Sequence, residues 1–311
     1  MPSISHIRAA NAAALSATNY LPVGIFVGGT SGIGEGMAEV FAKHTSGNAH
    51  IILIGRNRAQ AENIISRFPK PTQPLAKHEF LSCDVTLMRN VRSVSEEIRS
   101  RVQKVNFLMM SPGYMTTSGR NETEEGIDRK LAVHYYARWT FIKELAPLLD
   151  KAKVEGEDAK VLSVLGAGVG RSIDVDDLGL KKIYSVANAA AAAPTYNDLM
   201  LEGFAARHPT VTFAHANPGP VNTNILSSAE MSSVTKTLIS VAMSALSFFI
   251  TSKEDCGEYM FNGVLNTAKT PGVAWRISSQ GEDLAKKRYY GTESERKRLW
   301  EHSIEATGSK E

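Results

Sequence analysis

Val23-Gly24-Ile25-Phe26-Val27-Gly28-Gly29-Thr30-Ser31-Gly32-Ile33-Gly34 is the stretch that decides how this chain is read. An apolar run breaks at glycines, and residues 35–43 then carry apolar side chains at helical spacing. The pattern is strand, tight turn, helix. Such a turn leaves backbone N–H groups unpaired at a helix N-terminus, where the helix dipole also favours an anion. Glycine permits the turn, lets phosphate approach the backbone and lets helix pack closely on strand. A diphosphate is the group expected there.

Outward from that turn, the alternation continues along the chain. Residues 50–55, 79–84, 105–111, 160–165, 210–215 and 272–278 read as further strands, several of them continuous apolar runs between turn residues. Helical spacing covers 4–15, 59–68, 88–102, 127–149, 194–207 and 254–265, the 194–207 helix having an alternative start in the alanines before Pro194. The fold expected is an α/β, doubly wound, mostly parallel sheet of about seven strands with helices on both faces. Residues 1–22 form an N-terminal extension, 23–280 a single dinucleotide-binding and catalytic domain, and 281–311 a charged C-terminal tail. Tyr289, Tyr290, Leu299 and Trp300 are that tail's candidate docking contacts.

Composition narrows the function classes. A formal charge of +3 is mild, and no basic stripe of the kind a nucleic acid needs is present. Cys83 and Cys256 stand alone, without CxxC or metal-ligand spacing, which points to a reducing cytoplasm and no metal. Residues 1–22 lack the pattern of a signal peptide. The apolar run 238–250 is interrupted by Ser240, Ser244 and Ser247, and 13 residues are too few to span a bilayer. It reads as a buried helix or a cover over a pocket, with peripheral membrane contact left open.

The end of the second strand selects the cofactor. An acidic residue there would hold an adenosine ribose, and an arginine would accommodate a 2′-phosphate. The sequence is Gly55-Arg56-Asn57-Arg58, so NADP(H) is favoured over NAD(H), with Arg56 as the phosphate ligand and Asn57 beside it.

Gly28-x-x-x-Gly32-x-Gly34 resembles the glycine turn of the short-chain dehydrogenase/reductase family, and the likeness continues to about residue 278. That resemblance implies a Rossmann-like fold and further cofactor contacts. Thr30, Ser31 and Ile33 would lie at the phosphates, Asp84 and Val85 at adenine, and Ser111 and Gly113 after the fourth strand. Pro218 and Gly219 would close over nicotinamide, with the Val221 backbone at the carboxamide and Thr223 at phosphate.

The family's catalytic Asn, Ser, Tyr and Lys are only partly matched. The helical Asn aligns with His134, whose imidazole would relay protons near neutrality. The strand-end serines align with Leu165-Gly166, which carry no hydroxyl. Tyr184 looks like the catalytic tyrosine, with Asn188 at the lysine place and able to meet ribose; Tyr196 is its rival. The expected activity is NADPH-dependent reduction of a carbonyl or activated double bond in a small organic molecule. The pattern looks like divergent fungal reductases of secondary metabolism. A cyclase, isomerase or dehydratase on the same fold, and a noncatalytic NADP(H)-binding protein, remain the alternatives. Homo-oligomerisation through the long helices is left open.

Overall fold

The computed structural model describes residues 2–309 apart from 224, 226–229, 233–236 and 238–249. The expected cover at 238–250 therefore falls almost wholly outside the described residues. A seven-stranded sheet runs β3-β2-β1-β4-β5-β6-β7, and every pairing is parallel. Its strands are β1 (Val23–Val27), β2 (His50–Gly55), β3 (Lys77–Ser82), β4 (Phe107–Met110), β5 (Lys160–Val164), β6 (Thr212–Ala216) and β7 (Ala274–Ile277). The order reverses between β1 and β4, with Val27 opposite Met110. Parallel α/β sheets open a crevice at that point, outside the carboxyl ends of the strands.

Alternation along the strands fills two cores. Ile25, Val27, Leu108 and Met110 face one helical layer, formed by α4 (Met88–Arg101), α6 (Ala137–Val154) and α7 (Val186–Arg207). Phe26, Leu53, Phe107 and Met109 face the other, formed by α2 (Gly32–His44), α3 (Arg58–Ser66) and α8 (Lys253–Asn262). Phe41 of α2 anchors the second core, its ring centroid 5.6 Å from Phe26, 5.2 Å from Phe107 and 5.8 Å from Phe261. Burying such aromatic area is the main favourable term in a core of this kind.

Local chemistry sets the ends of several elements. β3 stops at Ser82, before Asp84, because Asp84 Oδ1 accepts from the Thr86 N–H at 3.0 Å and turns the chain. α7 starts at Val186, eight residues before Pro194, because Ser185 Oγ caps it by accepting from the Asn188 N–H at 3.0 Å. The helix expected from residue 127 opens instead at α5 (Arg129–Leu131), where Asp128 caps it. A π-helical turn, Ala132–Tyr136, then leads into α6.

Both chain ends dock on this frame. In α1 (Ile4–Ser16), Asn11 donates to the Glu258 backbone oxygen and carboxylate, each at 2.8 Å. α9 (Glu293–Thr307) packs on α7, where a Cβ at Gly203 would come 2.9 Å from the Trp300 indole. The Arg207 guanidinium lies 3.6 Å from the Trp300 ring centroid on the same side. Among the described residues no helix is long and apolar enough to cross a membrane.

Candidate active site

Three segments converge at the carboxyl edge between β1 and β4. Gly28 and Gly32 have φ of 79° and 56°, the left-handed region that other residues avoid. A Cβ at Gly28 would stand 2.8 Å from Pro112 N, and one at Gly34 would stand 2.3 Å from the Gly28 carbonyl oxygen. A Cβ at Gly32 would come 3.1 Å from the Thr223 methyl. The structure thus brings the glycine turn, the Ser111–Gly113 loop and Thr223 to one place.

Among the described residues, donors at this cradle are left without partners. Ser31 is the N-cap of α2, yet its hydroxyl makes no capping bond. Ser111 Oγ is buried with no hydrogen-bond partner among the described residues, and it lies 2.6 Å from the position of a Gly34 Cβ. A buried hydroxyl is normally satisfied. Free hydroxyls, bare backbone and a helix N-terminus are a donor set that fits a diphosphate.

Towards the adenosine end, Thr30 sits over Gly55, where a Cβ would be 2.7 Å from Thr30 Oγ1. Arg56 is exposed and has no ion-pair partner among the described residues. Asn57 is the N-cap of α3, its Oδ1 accepting from the Gln60 N–H at 3.0 Å. Ile33 and Val85 are half-buried against the two cores. In the Pro218–Thr223 segment, the Gly219 N–H donates to Asn217 Oδ1 at 3.0 Å, and Val221 bridges to Thr251.

The catalytic side departs from the sequence expectation at His134. The residue lies in the π-helical turn, a form often found at functional sites. Its Nε2 accepts from the Tyr114 N–H at 3.0 Å, so this nitrogen carries no proton. Burial, with Arg138 and Lys130 nearby, lowers its pKa to about 3. The expected titration near neutrality is thereby corrected: the ring is neutral across the physiological range.

Tyr184 is half-buried, and its Oη donates to Asp128 Oδ1 at 3.3 Å. Burial first, then the Asp128 charge, push its pKa up to about 12. Tyr196 is 1% exposed and donates to the Leu178 carbonyl at 3.0 Å inside the core. Asn188 is exposed, with Nδ2 3.4 Å from the Ile183 carbonyl oxygen. Gly166 has no room for a serine without displacement, because a Cβ there would meet Val169 Cγ2 at 2.7 Å. Its N–H donates to His215 Nε2 at 3.1 Å.

A buried polar network under the site was not anticipated. Arg138 is 1% exposed and donates to Ser163 Oγ at 2.6 Å, the Val164 carbonyl at 2.9 Å and the Pro112 carbonyl at 2.7 Å. Ser163 Oγ donates to Asn197 Oδ1 at 2.7 Å, and Asn197 Nδ2 donates to the His134 carbonyl at 2.9 Å. The only sequence signal was an arginine inside an otherwise apolar helical face. Beside it, Asp198 accepts from His215 Nδ1 at 2.6 Å and from Arg276 Nε at 3.0 Å.

A glycine turn at the sheet's switch point, with this strand order, defines a doubly wound α/β fold of the Rossmann type. The sequence model of the short chain dehydrogenase family matches residues 23–232, and the chain belongs to that family. It is 39% identical over 226 residues to Oxidoreductase AN1596 of Emericella nidulans, covering 72% of this chain and 65% of that protein. Oxidoreductase andH of Emericella variicolor is 34% identical over 226 residues, covering 73% of this chain and 65% of that protein. The matched stretch thus spans just under two thirds of each relative. The 3-ketoacyl-(acyl-carrier-protein) reductase of Brucella melitensis, solved with NADH, shares the fold at a TM-score of 0.58 and 20% identity. That alignment covers 84% of this chain and 98% of the reductase.

Proposed function

We propose that the protein is an NADPH-dependent reductase of a carbonyl or activated double bond in a small organic molecule, serving fungal secondary metabolism. The observation that carries this reading is the cradle of Gly28, Gly32 and Gly34, faced by the unpaired hydroxyls of Ser31 and Ser111. Arg56, exposed and without an acidic neighbour in Gly55-Arg56-Asn57-Arg58, supports a 2′-phosphate. Its fungal relatives carry oxidoreductase names, which supports the metabolic setting. When bound, the nicotinamide supplies the hydride.

Within this reading, Tyr184 Oη gives a proton to the oxygen left negative by reduction. Its raised pKa suits that direction: a phenol at about 12 is protonated at working pH and is a poor base for the reverse reaction. Asn197 and Arg138 hold the ends of β4 and β5, so that the Pro112–Gly113 backbone keeps its place beside the cradle. Gly166 supplies no hydroxyl and Asn188 no cation, which also supports a second reading, a non-redox enzyme or cofactor-binding protein on this fold. Consumption of NADPH absorbance by purified protein with a panel of ketones, enals and enones separates them. Tight NADPH binding with no turnover on any member would overturn the reductase.

A further inference from the structure

Arg138 is 1% exposed, and every hydrogen-bond partner of its guanidinium is neutral. It donates to Ser163 Oγ at 2.6 Å and to the carbonyls of Pro112 and Val164 at 2.7 and 2.9 Å. The Met110 and Val133 carbonyls accept more loosely, each at 3.5 Å. Among the described residues it has no ion pair. Asp198, one residue beyond the Asn197 of the same network, is held by His215 Nδ1 and Arg276 Nε. Hydrogen bonds thus satisfy the donors, while no carboxylate among the described residues neutralises the charge. Enclosing such a cation opposes folding. Burial alone lowers its pKa, to about 9, so the guanidinium stays charged at pH 7.

Its acceptors fix where that charge lies. Met110 and Val164 end β4 and β5, so the guanidinium sits at the carboxyl edge of the sheet, on the β4–β5 side of the switch point. Pro112 links it to the glycine turn: the carbonyl oxygen accepts from Arg138, and the nitrogen lies 2.8 Å from a Gly28 Cβ. A dinucleotide in this fold lies across the switch point, with its diphosphate at the turn. Arg56, the adenosine-end ligand, follows β2 on the other side of β1, so the nicotinamide end belongs over β4 and β5. The oxidised nicotinamide ring is a cation, and the reduced ring is neutral.

We propose that the Arg138 charge sets which oxidation state of the cofactor the protein holds: it repels the oxidised ring, so that NADPH is loaded and NADP+ is released. The inference rests on the cofactor reading under "Proposed function" but requires no hydride transfer. Two unit charges about 10 Å apart, at an effective dielectric constant of about 20, change an affinity by roughly tenfold. Calorimetric titration of the wild-type protein at pH 7 should therefore give a Kd for NADP+ at least about fivefold above that for NADPH. Arg138→Gln keeps amide donors without the charge and should bring the two Kd values within about twofold of each other. Arg138→Lys keeps the charge and should keep the preference. Lost packing or lost hydrogen bonds weaken both cofactors alike, so the ratio of the two Kd values reads the charge. A wild-type ratio near one, a preference that persists in Arg138→Gln, or one that disappears in Arg138→Lys would each overturn the proposal. Should Arg138→Gln not fold, the wild-type and Arg138→Lys ratios still decide it. If the wild type binds neither cofactor, the cofactor reading fails and takes this inference with it; if both bind equally, this inference fails alone.

Discussion

Tyr184 Oη and Asp128 Oδ1 meet at 3.3 Å, joining a residue two before the start of α7 to the cap of α5. The contact fixes the phenol and also raises its pKa to about 12. Tyr184→Phe should leave NADPH binding intact and lower turnover by about 10²–10⁴-fold. Tyr196→Phe should leave turnover near the wild-type value and cost about 1 kcal/mol of stability, through the lost bond to the Leu178 carbonyl. Steady-state rates with a substrate from the carbonyl panel, together with urea midpoints, decide it. Full turnover in Tyr184→Phe would move the proton donor elsewhere.

The same contact predicts a pH profile. A proton donor works below its pKa and fails above it, so reduction should show no basic limb from Tyr184 until pH approaches about 12. Asp128→Asn removes the Asp128 charge that, after burial, raises this pKa, and should bring that limb to lower pH. A limb unmoved in the variant would separate Tyr184 from the proton step.

Arg56→Ala should weaken NADPH and spare NADH. A charge-assisted contact contributes roughly 1.5–3 kcal/mol, or about 10–150-fold in Kd. Fluorescence titration of both cofactors against both proteins measures it. Equal losses would remove Arg56 from the 2′-phosphate.

Gly32→Val should abolish dinucleotide binding. The position needs φ of 56°, and the new side chain would press on the Thr223 methyl, 3.1 Å from a Cβ. The left-handed conformation alone costs about 1–2 kcal/mol in a residue with a Cβ. A folded variant with undiminished NADPH affinity would contradict a phosphate site at this turn.

His134 should make the fold acid-sensitive. Its folded pKa of about 3 lies below the unfolded value, so the unfolded chain binds more protons between those values. Its contribution is therefore fully present above about pH 6.5 and falls by about 1.4 kcal/mol per pH unit below that. His134→Gln should flatten the stability profile between pH 6 and about 4, read from urea midpoints. An unchanged slope would mean that the ring charges without penalty.

The order of strands and helices was legible because each apolar run has a period tied to one kind of element. Val23–Val27 and residues 50–55 could be nothing but buried strands, and the glycines between them dictated a turn. Element ends depended on side-chain bonds that no period encodes, such as Ser185 Oγ to the Asn188 N–H. At the site, the clustering of Thr223 with Gly32 follows a motif that sequence can show. The neutral state of His134 does not, because it arises from burial and from Arg138 and Lys130, which tertiary packing brings near. Asn197 and His215 likewise look like ordinary helix and strand residues until the elements are assembled.

Arg276 donates to the carbonyls of Ala285, Lys287 and Arg288 while its Nε holds Asp198, which in turn holds His215 against the Gly166 amide. A recombinant version ending before residue 285 would leave the guanidinium with three donors turned to empty space, in the same buried cluster that seats the end of β5. Shortening the chain there would be felt at the end of β5, however dispensable those charged residues look on paper. Expression work should keep the chain through α9, and a protease cut near Lys286 should report on the state of that cluster.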